Sequence, residues 1–177
     1  IAYEEGNYQT ALDGFSVLKN NPSFEPMTPY YIAQIYFLQE KYDQVIEYAP
    51  PLIEGEQVSV ERVPEIARIV GESYFIKDQF DEALPYLELY HKETHKKHKV
   101  RAYYYQLGYV YYRNKAYEKA LKLFSEVTDE EDEMSQLANY HMADCYLKLD
   151  QKPYARSAFK QAFEMSVDSE IKEDALF

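Results

Sequence analysis

The chain has 177 residues, 46% of them apolar, enough for one ordinary domain or a short repeat array and too many for a disordered tail. With 31 acidic against 19 basic residues its formal charge is −12, the wrong sign for neutralising phosphates, so nucleic acid is not an expected partner. The uncharged stretch 102–112 falls well short of the about twenty residues a helix needs to span a bilayer, and the single cysteine, Cys145, permits neither an intrachain disulfide framework nor a multi-thiolate metal site. Twenty Tyr and nine Phe against five Gly favour an all-α fold. Ile1 stands where a start would have Met, and no basic stretch leads into an apolar one. The chain therefore reads as an internal fragment or a processed product, and its compartment, cytoplasmic or periplasmic, stays open.

In chain order, apolar residues three and four apart predict helices over 8–19, 28–40, 43–49, 59–77, 80–92, 99–113, 117–127, 134–149 and 153–166, with another starting near 169. Thr28-Pro29 reads as a start, with Thr as cap and Pro in the first turn; Asp43, Asp81 and Pro153 mark others. Asn20-Asn21-Pro22 and Pro50-Pro51 read as ends.

These helices recur with a period. Ala11, Val45, Ala83, Ala120 and Ala155 are 34, 38, 37 and 35 residues apart. Three residues before them stand Tyr8, Tyr42, Phe80, Tyr117 and, breaking the series, Lys152; four residues after stand Phe15, Ala49, Leu87, Phe124 and Phe159. The other helix of each copy repeats a small residue three before a tyrosine: Ala33/Tyr36, Gly71/Tyr74, Gly108/Tyr111 and Ala143/Tyr146. A small residue one turn from a ring lets two helix backbones approach while the ring fills the space beside the contact, so the pattern encodes packed helix pairs.

The copy Tyr104, Leu107, Gly108, Tyr111, Ala120, Phe124, Val127 resembles the tetratricopeptide repeat family, and the likeness in register covers nearly the whole chain. The family's terminal proline is absent from every copy, and Val45 and Ala49 depart from its pattern. The resemblance implies a right-handed α-solenoid of antiparallel helix pairs, a single array over 1–177 of about five repeats at 1–25, 26–63, 64–100, 101–135 and 136–168, with another starting at 169–177. Both terminal copies read as cut, which would leave open apolar faces for self-association.

Catalytic chemistry has little to work with. His91, His95 and His98, at i, i+4 and i+7, would share one face of a continuous helix and are the best metal candidate, but Lys92, Lys96, Lys97 and Lys99 around them repel a dication. The expectation is therefore no metal and no cofactor. His141 is spaced to pair with Asp144, and no nucleophile has triad spacing. Cys145 holds the place of Ile35, Ser73 and Val110, which is a packing position. The acidic run 129–133 reads as a solvated turn favouring the next helix N-terminus, and the glycines at 6, 14, 55, 71 and 108 form no phosphate loop.

In the resembled family the first helices line a concave groove. Its offset, carried onto this chain, implies as groove residues Tyr30, Gln34 and Phe37; Arg68, Glu72 and Phe75; Tyr105, Tyr109 and Tyr112; and Tyr140, Asp144 and Lys148, with Tyr105 and Tyr109 as the preferred contacts. Tyr and Arg are enriched among interface hot spots, and such a groove suits an extended segment or an inserted helix of another protein. The Lys and Asn that some family members use to clamp chaperone C-terminal carboxylates are missing at these positions, and Glu72 and Asp144 would repel a carboxylate. The expected function is a non-catalytic protein-interaction scaffold. The alternatives are a polypeptide-handling module of envelope or secretion machinery and a regulatory domain of a larger enzyme.

Overall fold

Between the two helices of each pair the chain must reverse within a few residues, and it does so in one way throughout. Glu40, Asp78, Lys115 and Asp150 all lie in the left-handed region, at φ of 57°, 58°, 60° and 56°, as does Gly6 at 74°. One residue on, a backbone N–H reaches back over the helix end: Lys41 to Tyr36 O, Gln79 to Tyr74 O, Ala116 to Tyr111 O (each 2.9 Å) and Gln151 to Tyr146 O (2.8 Å). This six-to-one bond with a left-handed residue inside it satisfies carbonyls that a helix end leaves orphaned. The acceptors are the repeated tyrosines, so the period in the sequence is also a period in backbone conformation.

The computed structural model describes residues 2–18, 21, 24, 27–165, 167, 168, 171, 174 and 175. Among these lie α1 (Tyr8–Leu18), α2 (Thr28–Leu38), α3 (Tyr42–Tyr48), α4 (Pro50–Glu54), α5 (Val63–Ile76), α6 (Phe80–Glu93), α7 (Arg101–Arg113), α8 (Tyr117–Phe124), α9 (Glu133–Lys148) and α10 (Lys152–Met165), with short 3-10 turns at Val60–Arg62 and Lys96–His98 and no strand. The fold is an all-α helical repeat of antiparallel pairs. Three local expectations are corrected. Pro50-Pro51 does not only end a helix: Pro50 opens α4, where its missing N–H would have had no partner anyway. Thr28 does not cap; it lies inside α2 and its hydroxyl donates to Phe24 O at 2.9 Å. The helix predicted to 127 stops at Phe124 and continues as turns. Asn20, Pro22 and most of the helix start near 169 lie outside the described residues.

The chain forms two compact units, 1–95 and 96–177. In the first, α5 packs on α2, α3, α4 and α6, over a core that includes Ala33, Val45, Ala49, Ile66, Ile69 and Val70. In the second, α9 packs on α7, α8 and α10. Tyr103, Leu107, Ala120, Phe124, Ala143 and Cys145 are buried there.

Close approach within a pair depends on the small residues. A Cβ added to Gly71 would lie 2.7 Å from Leu87 Cδ2 and 3.1 Å from the Leu87 nitrogen, and one added to Gly108 would lie 3.0 Å from Phe124 Cδ1. In the second unit a polar tie joins three elements. Arg101, at the start of α7, donates to Asp132 Oδ2 (2.7 Å), Val127 O (2.6 Å) and Ser135 Oγ (2.6 Å), while Asp132 caps α9 by accepting from Ser135 N at 2.8 Å. The Arg101 hydrogen bond and then the Ser135 backbone bond hold the Asp132 carboxyl well below the usual carboxylate range. The acidic run thus does favour the next helix start, through one residue whose partner lies a full repeat earlier.

Candidate protein-interaction surface

In the first unit, α2 carries Tyr30, Gln34 and Phe37 and α5 carries Arg68, Glu72 and Phe75. These side chains are engaged partly with one another and partly with residues outside the set. The Arg68 guanidinium lies 5.8 Å from the centre of the Phe37 ring and donates to Glu72 Oε1 at 2.9 Å and Glu65 Oε2 at 3.1 Å. Burial pushes the Glu72 carboxyl up, against the pull of Arg68. Tyr30 is buried, with Arg62 over its ring at 4.6 Å. Gln34 accepts from the Tyr3 hydroxyl at 2.6 Å, Phe37 packs on Tyr42 at 5.9 Å and Phe75 on Phe80 at 5.6 Å.

In the second unit the predicted residues build a connected lattice of rings. Tyr105, Tyr109 and Tyr112 are at i, i+4 and i+7 on α7 and therefore share one face. Across from them, His141 of α9 sits 5.1 Å from Tyr109, 5.2 Å from Tyr112, 5.7 Å from Phe124, 5.7 Å from Tyr140 and 6.1 Å from Tyr105, centre to centre. The Tyr112 hydroxyl donates to Asp144 Oδ2 at 2.8 Å, Lys148 lies 3.7 Å from the other Asp144 oxygen, and Arg113 donates to the Tyr109 hydroxyl at 3.3 Å. Tyr140 turns to Phe159 of α10 at 5.7 Å.

Of the preferred pair, Tyr105 is largely a packing residue. It leans on Phe124 at 5.8 Å, and burial raises its phenol above the ordinary range. Tyr109 and Tyr112, like Tyr105, are half-buried. Burial, and then the bond to Asp144, raise the Tyr112 phenol.

His141 was not among the predicted contacts, and it does not take Asp144 as its partner as its spacing implied; Asp144 accepts from Tyr112 instead. His141 Nδ1 is buried without a hydrogen bond, and burial holds the imidazole down at about 4, with Asp144 opposing. One signal for it was available. Aligned on the small residues, His141 corresponds to Tyr31, Ile69 and Gln106, and the stacked Phe124–His141 pair (5.7 Å) matches the stacked Phe15–Tyr31 pair (5.2 Å) three repeats earlier.

The histidine run is not a helical face. α6 ends at Glu93 with Thr94 extended (φ −106°, ψ 132°), so His91 lies on α6, His95 in the connector and His98 in a 3-10 turn. Among the described residues no three His, Cys, Asp or Glu side chains are grouped to hold a metal ion. Cys145 is fully buried and burial pushes its thiol up to about 12, in keeping with its packing position.

The pairing, the repeated left-handed turns and the small-residue contacts can be set beside solved structures. YrrB, described as a TPR protein with an unusual peptide-binding site, is similar at a TM-score of 0.73 and 17% identity, covering 99% of this chain and 86% of its own. The chain has the tetratricopeptide-repeat fold. MamA from Desulfovibrio magneticus RS-1, residues 41 to the end, is similar at a TM-score of 0.65 and 16% identity over 93% of this chain and 88% of its own. MamA AMB-1 gives 0.69 and 15% over 96% and 90%. Residues 76–162, just under half of the chain, match the family described as "Anaphase-promoting complex, cyclosome, subunit 3". No curated protein sequence matches it. As tetratricopeptide copies, α2, α5, α7 and α9 are first helices, and α1, α6, α8 and α10 are second helices. The second helix of the remaining copy is interrupted at Ala49 into α3 and α4. Among the described residues no helix is long and apolar enough to cross a membrane.

Proposed function

We propose that this chain is a non-catalytic protein-interaction scaffold, and that the α7–α9 face of its second unit takes a peptide or helical segment of a partner. The observation that carries this reading is the ring lattice. Tyr109 and Tyr112 offer large, rigid, partly exposed contact area at small rotamer cost, with Asp144 and Lys148 beside them as polar anchors. Predictions for the first unit are weaker as contacts, because Arg68, Glu72 and Gln34 already have internal partners. The description of YrrB as a peptide-binding TPR protein supports the class of ligand. His141 packs among the rings of Tyr109 and Tyr112, and Cys145, one turn further along α9, is fully buried with its thiol pushed up to about 12, so the same residues favour recognition over acid–base chemistry.

The test is a random peptide library selected on the full chain, followed by calorimetry of the selected peptides. Tyr109→Ala is expected to weaken them by roughly 2 kcal/mol, a hot-spot effect, with helicity unchanged. Selected peptides that bind the variant as tightly as the parent would refute the assignment.

A further inference from the structure

The repeated tyrosine of each first helix meets the second helix of its own pair, and the copies differ in what meets it. One residue before the small anchor stand Gln44, Glu82, Lys119 and Tyr154; three residues after it stand Tyr48, Tyr86, Leu123 and Ala158. In two copies the earlier position lies on the tyrosine. The Lys119 ammonium is 4.7 Å from the centre of the Tyr111 ring, and the Tyr154 ring is 5.5 Å from that of Tyr146. In a third the later position stacks on it, Tyr86 against Tyr74 at 5.8 Å and 18°.

The copy of Tyr36 is built differently. Tyr48 meets Tyr36 at 5.8 Å and 86°, so the two half-buried rings stand as the walls of a corner and not as a stack. A cavity of about 430 Å³ lies against both, with exposed Gln44, Glu47 and Gln57 also in its walls. Pro51 reaches the same cavity because the second helix of this copy is interrupted at Ala49. The described wall residues all lie between positions 36 and 57, a repeat's length in sequence from either end of the chain, and Asn21, Phe24 and Met27 before α2 are not among them. Glu47 is the one charged side chain among those walls, in a chain of net charge −12. At the register of Gln44 and Glu47 the Tyr111 copy has Lys119 and Lys122. Burial pushes the Tyr48 phenol up to about 12, which keeps the ring neutral at pH 7.

We propose that this corner is a binding site for a lysine side chain of a partner protein, its ammonium against the Tyr36 and Tyr48 rings beside the Glu47 carboxylate, with the side-chain carbonyls of Gln44 and Gln57 as further acceptors. The chain supplies the precedent, since it lays its own ammonium on the equivalent tyrosine where Lys119 meets Tyr111. Ring faces and a carboxylate both attract a cation. An acidic side chain would meet Glu47 and the negative ring faces, and an apolar one would leave the carboxylate without a partner. The site lies in the first unit and does not rest on the tyrosine face of the second.

The probe is Nα-acetyl-lysine methylamide, compared with its norleucine counterpart, which keeps the four-carbon stem and lacks the ammonium. Binding is followed through the ring signals of 13C-labelled tyrosine in NMR spectra of the full chain, with Tyr36 and Tyr48 assigned by single Tyr→Phe variants. The lysine compound is expected to shift both signals saturably and to bind about tenfold more tightly than the norleucine compound. Glu47→Gln should weaken it about threefold, and this contribution should shrink as salt rises. Gln44→Lys should abolish the shifts by placing the chain's own ammonium in the corner. Circular dichroism should not change, because position 44 is exposed and Lys and Gln have similar helix propensity. Tyr109→Ala should leave the titration as it is. No saturable shift, equal binding of the two compounds, or lysine binding that survives Gln44→Lys would each overturn the proposal. A dimer in sedimentation that Gln44→Lys dissolves would also overturn it, by making a second copy the source of the lysine.

Discussion

Replacing Gly71 with alanine tests whether the small first-helix residue sets the spacing of each pair. The added Cβ would lie 2.7 Å from Leu87 Cδ2, 2.8 Å from Leu87 Cγ and 3.1 Å from the Leu87 backbone nitrogen. Leu87 is fully buried, so its side chain has no solvent to swing into, and the nitrogen can retreat only if α6 moves. Alanine gains about 1 kcal/mol over glycine in helix propensity, while overpacking a close-packed site costs about 1–3 kcal/mol. With a backbone atom among the clashes the cost belongs at the upper end, so a net loss of about 2 kcal/mol is expected. The sign should reverse when the partner shrinks. Leu87→Ala alone costs about 2–5 kcal/mol, and in that background Gly71→Ala should regain up to about 1 kcal/mol. The chain already holds that combination of residue types: Ala33 and Ala49 occupy the register positions of Gly71 and Leu87 in another copy, and both are fully buried in one core cluster. Urea unfolding of the four variants followed by far-UV circular dichroism measures the cycle. If Gly71→Ala has the same effect with Leu87 and with Ala at that position, the pair does not set the spacing and the reasoning fails.

Two further outcomes are expected. The His141 imidazole is held at about 4 against an ordinary 6.5, so between these values the unfolded chain binds a proton that the folded chain excludes. Stability is then full above about pH 6.5 and falls on acidification, by about 2 kcal/mol at about pH 5, and His141→Gln should remove that part of the slope in urea titrations; parallel curves for parent and variant would rule it out. Lys115 is exposed at φ 60°, where a side chain costs about 1 kcal/mol and glycine fits without strain. Allowing for glycine's greater unfolded entropy, Lys115→Gly should add about 0.5 kcal/mol and raise the melting temperature by about two degrees, and an unmoved midpoint counts against the turn as a source of strain.

The features legible in the sequence are those written locally in each copy. Val45, Ala83, Ala120 and Ala155 anchor the period and are all buried, because a residue crossed by another helix at close range must be small wherever the crossing recurs. Less legible were features whose local signs suit two outcomes. Two prolines end one helix as well as they begin another, which is why α4 was hidden. The spacing of His91, His95 and His98 has meaning only if the helix continues, and it stops at Thr94. Groove positions are hard to read for a third reason, since a one-residue offset separates a ring at the surface from one between helices, and which neighbour meets Tyr105 or Tyr30 depends on residues far along the chain. Comparison of each residue with its own copies resolves part of this. His141 shares the register of Tyr31, and both rings stack on the phenylalanine of the preceding second helix whatever their polarity. A repeat supplies its own reference for what packing alone requires. The positions to search for function are then those where one copy breaks the rule of the others without disturbing the backbone, as the imidazole does among the rings of α7.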